Sequence, residues 1–549
     1  MEDRVAAERG SQGFVRVPVG VDAERWVTFA GAKVLVVVHS VTALGRLLDV
    51  LAVLEGELRV QVVYTRIPAS AFTDGVEEFL RDVGALVVPW EQAVRETFDL
   101  ALSASSSGDL HLVKAPLIVM PHGIGYNKYL KTENGKRKTV YGLGEEQLVR
   151  DGRVVPAVLV LSHGEQLVRL KESCPEAVPR AVVAGDVCFD RMAASGEWRQ
   201  VYRERLGVRD GQRLVVVSST WGSTSLLGAD PSVVGRLLRE LPVDEYRVAA
   251  VVHPNVWHGH GAWQVRSWLA DCRRAGLLLI PPREGWRAAL VAADCLVGDH
   301  GSVTLYGAAL GCPTVLAAYD ADDISPGTAM DVLADVAPRL KGGAALRPQI
   351  EEAIRRHDPA LGELFAGLAV ERQGEAAAVL REAMYRLMGL PEPERAARVV
   401  PVPPAEAERA EWGAEGPGVL IASCDADGRV ERVPLMGEVP RLGASAHVVV
   451  EDACTDVRAR GIAGVVVRRE GSPGPMAGVA PERVFAMLPS CSVVADVGDD
   501  GCAVWLRDGT CLKMRADVPD LGVLGSLAFR RPMPNSLRLG ERVIDVDVS

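Results

Sequence analysis

One unit repeats through most of this chain between residues 32 and 319: a short unbroken run of β-branched residues, then a stretch with helical periodicity. Lys33–Val38 (KVLVVV), Val60–Tyr64 (VQVVY), Leu86–Val88, Leu117–Met120 (LIVM) and Val158–Leu161 (VLVL) carry no polar alternation. Each therefore reads as a strand buried on both faces. Helical patterns over Leu44–Leu54 and Ala71–Val83 separate the first of them. Such strands belong to parallel sheets covered by helices on either side, and right-handed crossovers favour a doubly wound arrangement.

The unit restarts after a helical link around Trp198–Leu206. Leu214–Val217, Arg247–Val252, Leu277–Ile280, Cys295–Gly298 and Thr314–Ala317 read as strands, Ser232–Leu241 and Trp263–Ala275 as helices, and Leu346–Leu390 as a long helical region. The expected fold class is α/β, with two Rossmann-like doubly wound domains over residues 30–195 and 196–390, preceded by an extension, residues 1–29. A chain of 549 residues is too long for one core. Residues 391–418, rich in Pro, Ala and Glu, read as a semi-extended linker. Residues 419–549 carry short strands such as His447–Val450, Gly464–Val467 and Ala503–Leu506, with Asp427-Gly428 and Asp508-Gly509 turns. They read as a β-rich α+β accessory domain, with room for a protein partner.

A formal net charge of -11 leaves no global basic surface for nucleic acid. No stretch reaches the roughly 20 apolar residues of a membrane span, so no integral membrane segment is expected. The polar N-terminus lacks the apolar core of a secretion signal. The ten cysteines are scattered singly, without zinc spacing, and His258 and His260 lack a third ligand nearby. The expectation is a cytoplasmic protein with no metal site and no cofactor.

Ligands of open α/β sheets bind outside the carboxyl ends of the strands. Four segments fall there. In Ala293–Tyr319, a strand ends at Asp299, His300-Gly301 turn, and a helix opens at Ser302 and Val303. Ser302 is the candidate N-cap, and the amides behind it offer an anion site. The bland alternative is that Ser302 only caps and Asp299 only ends a strand. Val215–Gly228 runs from a strand into small hydroxyl residues, among them Ser219 and Thr220, able to bond phosphate oxygens. His253 follows a buried strand and precedes Pro254. His122, next to Gly123, follows another, and imidazole suits general-base work near neutrality. Lys128, Lys131, Lys136, Arg137 and Lys138 then form the one local basic cluster, suited to an anionic acceptor or simply to solvent. Gly185-Asp186 sits where an interdomain hinge belongs.

Taken in order, His122-Gly123, Gly185 to Asp190 (GDVCFD), Thr220-Trp221, His253-Pro254 and Asp299 through Ser302 resemble the motif series of the CDP-glycerol glycerophosphotransferases, bacterial teichoic-acid polymerases of the glycosyltransferase-B fold. The resemblance covers His122 to Tyr319. It implies a nucleotide-diphospho donor and a hydroxyl-bearing acceptor. By the resemblance His122 would be the catalytic base, His253 would contact the donor diphosphate, and Ser302 with the amides behind it would hold the same group. From their own places beside these, Ser219, Thr220, Asp299, His300, Gly301 and Val303 are further candidates to line the donor, and Gly123, Lys128 and Lys131 to meet the acceptor. His300-Gly301 stands where the family has Tyr-Ser, which loses one phosphate-binding hydroxyl. The transferred group is then glycerophosphate or a sugar. A nucleotide-sugar epimerase, or a non-catalytic nucleotide-binding protein acting through residues 419–549, are the alternatives.

Overall fold

A computed structural model describes residues 14–15, 17–20, 23, 27–29, 31–68, 75–130, 139–408, 418–438, 441–443, 445–472 and 474–549. Lys131, Lys136, Arg137 and Lys138 lie outside the described residues, as does most of the extension.

The first domain is built on a seven-stranded sheet: β1 Ala32–Val38, β2 Val60–Arg66, β3 Val87–Val88, β4 Leu100–Ser103, β5 Leu117–Val119, β6 Val158–Leu161 and β7 Ala181–Val183. Their spatial order is β3-β2-β1-β4-β5-β6-β7, with every pairing parallel. The second domain repeats the pattern with β8 Arg213–Ser219, β9 Tyr246–Val252, β10 Leu278–Ile280, β11 Cys295–Gly298 and β12 Thr314–Leu316, in the order β10-β9-β8-β11-β12. Both sheets thus reverse direction beside their first strand, the point where such folds leave a crevice. The unbroken apolar runs have the expected cause. Val34, Val36 and Val38 of β1 enter one core while Leu35 and Val37 enter another on the opposite face. In β8, Leu214 and Val216 separate from Val215 and Val217 in the same way.

Two elements differ from expectation. β4, at the centre of the first sheet between β1 and β5, has only four residues before a run of serines, too short to stand out as a strand. The Leu346–Leu390 region is three helices, Leu346–Arg356, Ala360–Ala369 and Ala376–Met388. The last of these leaves the second sheet: Ala376, Leu380, Met384 and Tyr385 belong to the core of the first, where the helix packs against Ala52–Leu54, Leu100–Ser103 and Val187–Ala194. Asp190 fixes its start, accepting from the amides of Gly374 at 2.7 Å and Ala376 at 3.1 Å. The crossing segment passes so close to Gly185 (φ +85) that a Cβ there would lie 2.5 Å from the carbonyl oxygen of Glu371.

Residues 391–408 of the expected linker carry no helix or strand, and their later part is fastened to the second domain. Val402 and Ala405 are buried in the second domain's core, the amide of Glu408 bonds the carbonyl of Leu279 at 2.8 Å, and its carboxylate pairs with Arg266. Residues 419–549 form a mixed eight-stranded sheet, from Val419–Cys424 to Asp547–Val548, with helices over it. This unit docks on the second domain through Arg432, buried between Asp244 at 2.5 Å and Asp520 at 2.7 Å. No helix among the described residues is long and apolar enough to cross a membrane.

Candidate functional site

Five helices matter to the cleft: α1 Val41–Leu51, α2 Val187–Ala194, α3 Pro254–His260, α4 Trp286–Ala292 and α5 Ser302–Ala309. His122 lies just past β5 and His253 just past β9, so each imidazole hangs from the carboxyl end of a parallel strand. The structure brings the two together, near enough that the charge of His122 acts on His253. The loop of His122 also meets the start of α5. A Cβ placed on Gly123 would stand 2.4 Å from Oγ of Ser302 and 3.0 Å from its Cβ. Glycine is what permits this approach between the domains.

The helix start itself corrects one expectation. Gly301, not Ser302, is the N-cap (φ -84, ψ 157), no side chain caps it, and Ser302 is the first helical residue. Gly301 is also forced to be small, because a Cβ there would lie 3.0 Å from Asp299 and 3.3 Å from Cβ of Thr220. Asp299 faces away from the cleft. It is fully buried, and its oxygens accept from the amides of Thr220 (2.7 Å), Leu226 (2.9 Å) and Gly301 (3.0 Å). The carboxylate thereby ties the hydroxyl-rich loop to the helix start. Ser219 is spent similarly, donating to the carbonyl of Thr220 and accepting from the amide of Leu227 at 3.1 Å. His300 turns inward, with Nε2 at 3.6 Å from Asp323 and its ring edge-on to Tyr319. Ser302 and Val303 remain half-buried at the mouth.

Electrostatics single out the paired histidines. His122 is exposed in the cleft, yet the protein atoms around the ring desolvate it enough to hold its pKa down at about 4. The Arg46 guanidinium pushes the same way, as do His39 and Lys128, while a hydrogen bond to the backbone of Ala104 opposes them. His253 is held at about 3, first by desolvation, then by His122 and Lys128. Both rings are neutral at pH 7. His253 has a fixed tautomer: Nδ1 accepts from the amide of Asn255 at 3.1 Å, so the proton is on Nε2, which is left as a donor. His163 caps its helix in the same manner. Lys128 lies where its charge reaches His122, His253 and His300, and its backbone bridges to Ile324 of the second domain. On that flank the amide of Tyr129 bonds the carbonyl of Asp323 and the amide of Ser325 that of Asn127, both at 2.9 Å.

Several residues around His122 carry no motif and were not singled out from the sequence. Tyr141 joins the serine loop after β4, with Ser105 Oγ at 3.0 Å and Ser107 Oγ at 2.9 Å from its hydroxyl, and His39 bonds the Ser107 carbonyl at 2.9 Å. Ser106 is buried with its Oγ unpartnered. The signal was there: SASSSGD is a small-hydroxyl loop after a strand, like that after β8. Among the described residues no group of three or more His, Cys, Asp or Glu is placed to hold a metal ion.

No family model matches the chain, and no curated protein matches it either. Solved structures superpose on it with TM-scores below 0.5. The wall teichoic acid polymerase TagF, in a form soaked with CDPG, superposes with a TM-score of 0.46 at 12% identity, covering 65% of this chain and 89% of that one. Anabaena HepE in complex with UDP-glucose gives 0.38 at 12% identity, over 65% of this chain and 99% of that one. A glycosyltransferase from Rickettsia africae gives 0.37 at 12%, again over 65% and 99%.

Proposed function

We propose that this chain is a transferase that holds a nucleotide-diphospho donor, CDP-glycerol-like or a nucleotide sugar, in the cleft and passes its glycerophosphate or glycosyl group to a hydroxyl acceptor. The observation that carries the reading is a pair of neutral imidazoles, one from each domain and within electrostatic reach of each other, with the His122-Gly123 loop set against an uncapped helix start. His122, with a basic nitrogen at pH 7, takes the proton of the acceptor hydroxyl as that oxygen bonds to the donor's phosphorus or anomeric carbon. The bond to the departing nucleotide phosphate breaks in the same displacement. Its negative charge is met by Nε2–H of His253 and the first amides of α5, which need no reorientation. An imidazole of pKa about 4 is a weak base, but the donor's own anionic charge raises it on binding. Lys128 offers a positive charge at the acceptor side. An epimerase needs open carboxylates against the sugar, whereas Asp299 at this helix start is enclosed by amides.

Thermal shift and calorimetry with CMP, CDP, UDP and GDP test donor binding, since a ligand held only by the folded state raises its stability. His122→Ala should keep nucleotide affinity and lose transfer, and His253→Ala should lose affinity. Binding without turnover on any acceptor would favour the non-catalytic alternative. Turnover indifferent to both substitutions would refute the site.

A further inference from the structure

α1 carries two charged residues one turn apart, Arg46 and Asp49, and both are buried, at 7% and 3% exposure. Arg46 donates to both carboxylate oxygens of Asp186, at 2.6 and 3.1 Å, and to the phenol of Tyr306 on α5 in the second domain. The Tyr306 hydroxyl in turn donates to Asp186 at 2.8 Å, which closes a ring of bonds across the seam. Asp186 is itself anchored as the N-cap of α2, accepting from the amide of Phe189 at 2.9 Å. One turn along α1, Asp49 accepts from Arg191 of its own domain and Arg287 of α4 in the other. The Trp286 ring lies 5.7 Å from that of Tyr306, linking the two rungs.

Burying so many charges is poor economy if stability alone is at stake, because desolvation offsets most of what their attraction returns. What it does confer is register. An apolar seam tolerates rocking of one domain on the other, whereas this ring is satisfied at one relative placement and leaves buried charges unpaired at any other. Its position matters too. Tyr306 is one turn beyond Ser302 on α5, and Arg46 is near enough to His122 for its charge to act on that ring.

We propose that Arg46, Asp186 and Tyr306 are positioning residues that hold the start of α5 at a fixed depth against the His122-Gly123 loop, so that the cleft is preset rather than assembled by closure of the domains on a ligand. The inference concerns the same cleft as the transferase reading but does not require it. The groups whose charges face His122 are Arg46 from α1, His39 after β1, Lys128 on its own loop and His253 after β9, with the Tyr141 ring edge-on at 6.3 Å. A slackened joint draws the walls back from the imidazole, so that fewer protein atoms crowd it and its desolvation falls.

The test uses the full-length chain without nucleotide and two readouts, small-angle scattering and the NMR titration of the His122 ring, assigned by its loss in His122→Gln. Tyr306→Phe removes one hydroxyl and leaves the Arg46–Asp186 pair, so it keeps the fold. It should raise the radius of gyration by a few per cent and move the His122 midpoint upward by about half a pH unit or more. Arg46→Met with Asp186→Asn, which retains the cap of α2, should raise the radius of gyration more strongly, and Arg46→Lys, which keeps the charge, should fall between that variant and the parent. Parental scattering in both Tyr306→Phe and the double variant, with a parental His122 titration in Tyr306→Phe, would overturn the proposal. Neither readout involves a nucleotide, so failure of the joint and failure of the transferase reading show in different experiments.

Discussion

Replacing Gly123 with alanine inserts a single methyl group at the tightest contact between the two walls of the cleft. Gly123 does not occupy the left-handed region, so alanine brings no backbone strain and the effect is steric. The new carbon would stand 2.4 Å from Oγ and 3.0 Å from Cβ of Ser302. Rotating the hydroxyl relieves the first contact but not the second, so either the His122 loop or α5 must move by several tenths of an ångström. Neither moves cheaply, since α5 is held through Tyr306 and the amide of Gly301 through Asp299. Overpacking of this kind costs about 2 kcal/mol, equivalent to about thirtyfold in an equilibrium constant. We expect Gly123→Ala to keep its circular dichroism, to lose about 2 kcal/mol of stability and so melt a few degrees lower, and to bind CMP or CDP more weakly by calorimetry because the displaced walls no longer meet the ligand together. Adding Ser302→Gly removes both colliding atoms and should restore most of the loss. Parental affinity in Gly123→Ala, or no recovery in the double variant, would refute the claim that these two residues set the width of the cleft.

Other expectations follow from the same contacts. Asp299→Ala leaves three buried amides without their acceptor and should destabilise the second domain by about 3 kcal/mol or more, read as early loss of structure in denaturant. Ser106→Ala deletes a buried hydroxyl that has no partner, so chemical denaturation should show unchanged or slightly raised stability, by up to about 1 kcal/mol. His447 is buried against Phe529 and Ser526 with its pKa pushed down to about 4 by desolvation and by Arg432. Because the folded pKa is below that of the unfolded ring, this residue has no effect above pH 6.5 and costs stability as pH falls from 6.5 towards 4. The loss approaches about 3 kcal/mol, and His447→Gln should flatten the pH dependence of unfolding.

How far the sequence could be read depended on the range of the forces involved. Strand identity is local: a run such as KVLVVV is uniformly apolar because each of its faces meets a core, so nearly every strand of the two parallel sheets was legible. β4 was not, because four residues ending in serine give no periodicity, and with it went the serine loop beside His122. His122, His253 and the helix after Asp299 were legible because strand-end positions are readable from local pattern. Which way a side chain turns is not. Asp299 and His300 face the protein because the amides of Thr220 and Leu226 and the ring of Tyr319, distant in sequence, arrive there on folding. Arg46, Asp186 and Tyr306 are separated by up to 260 residues and share no motif, so nothing short of the fold could join them.

The return of Ala376–Met388 to the first sheet has a consequence for how the chain comes off the ribosome. The amino-terminal half lacks part of its own interior until nearly two hundred further residues have been made. At typical synthesis speeds that is a wait of roughly 10–40 s. During it, the faces of Ala52–Leu54 and Leu100–Ser103 that this helix covers are exposed. A gene cut after residue 195 would leave that surface permanently bare. The amino-terminal piece should then be sticky and insoluble, and co-expression with residues 196–549 should rescue it.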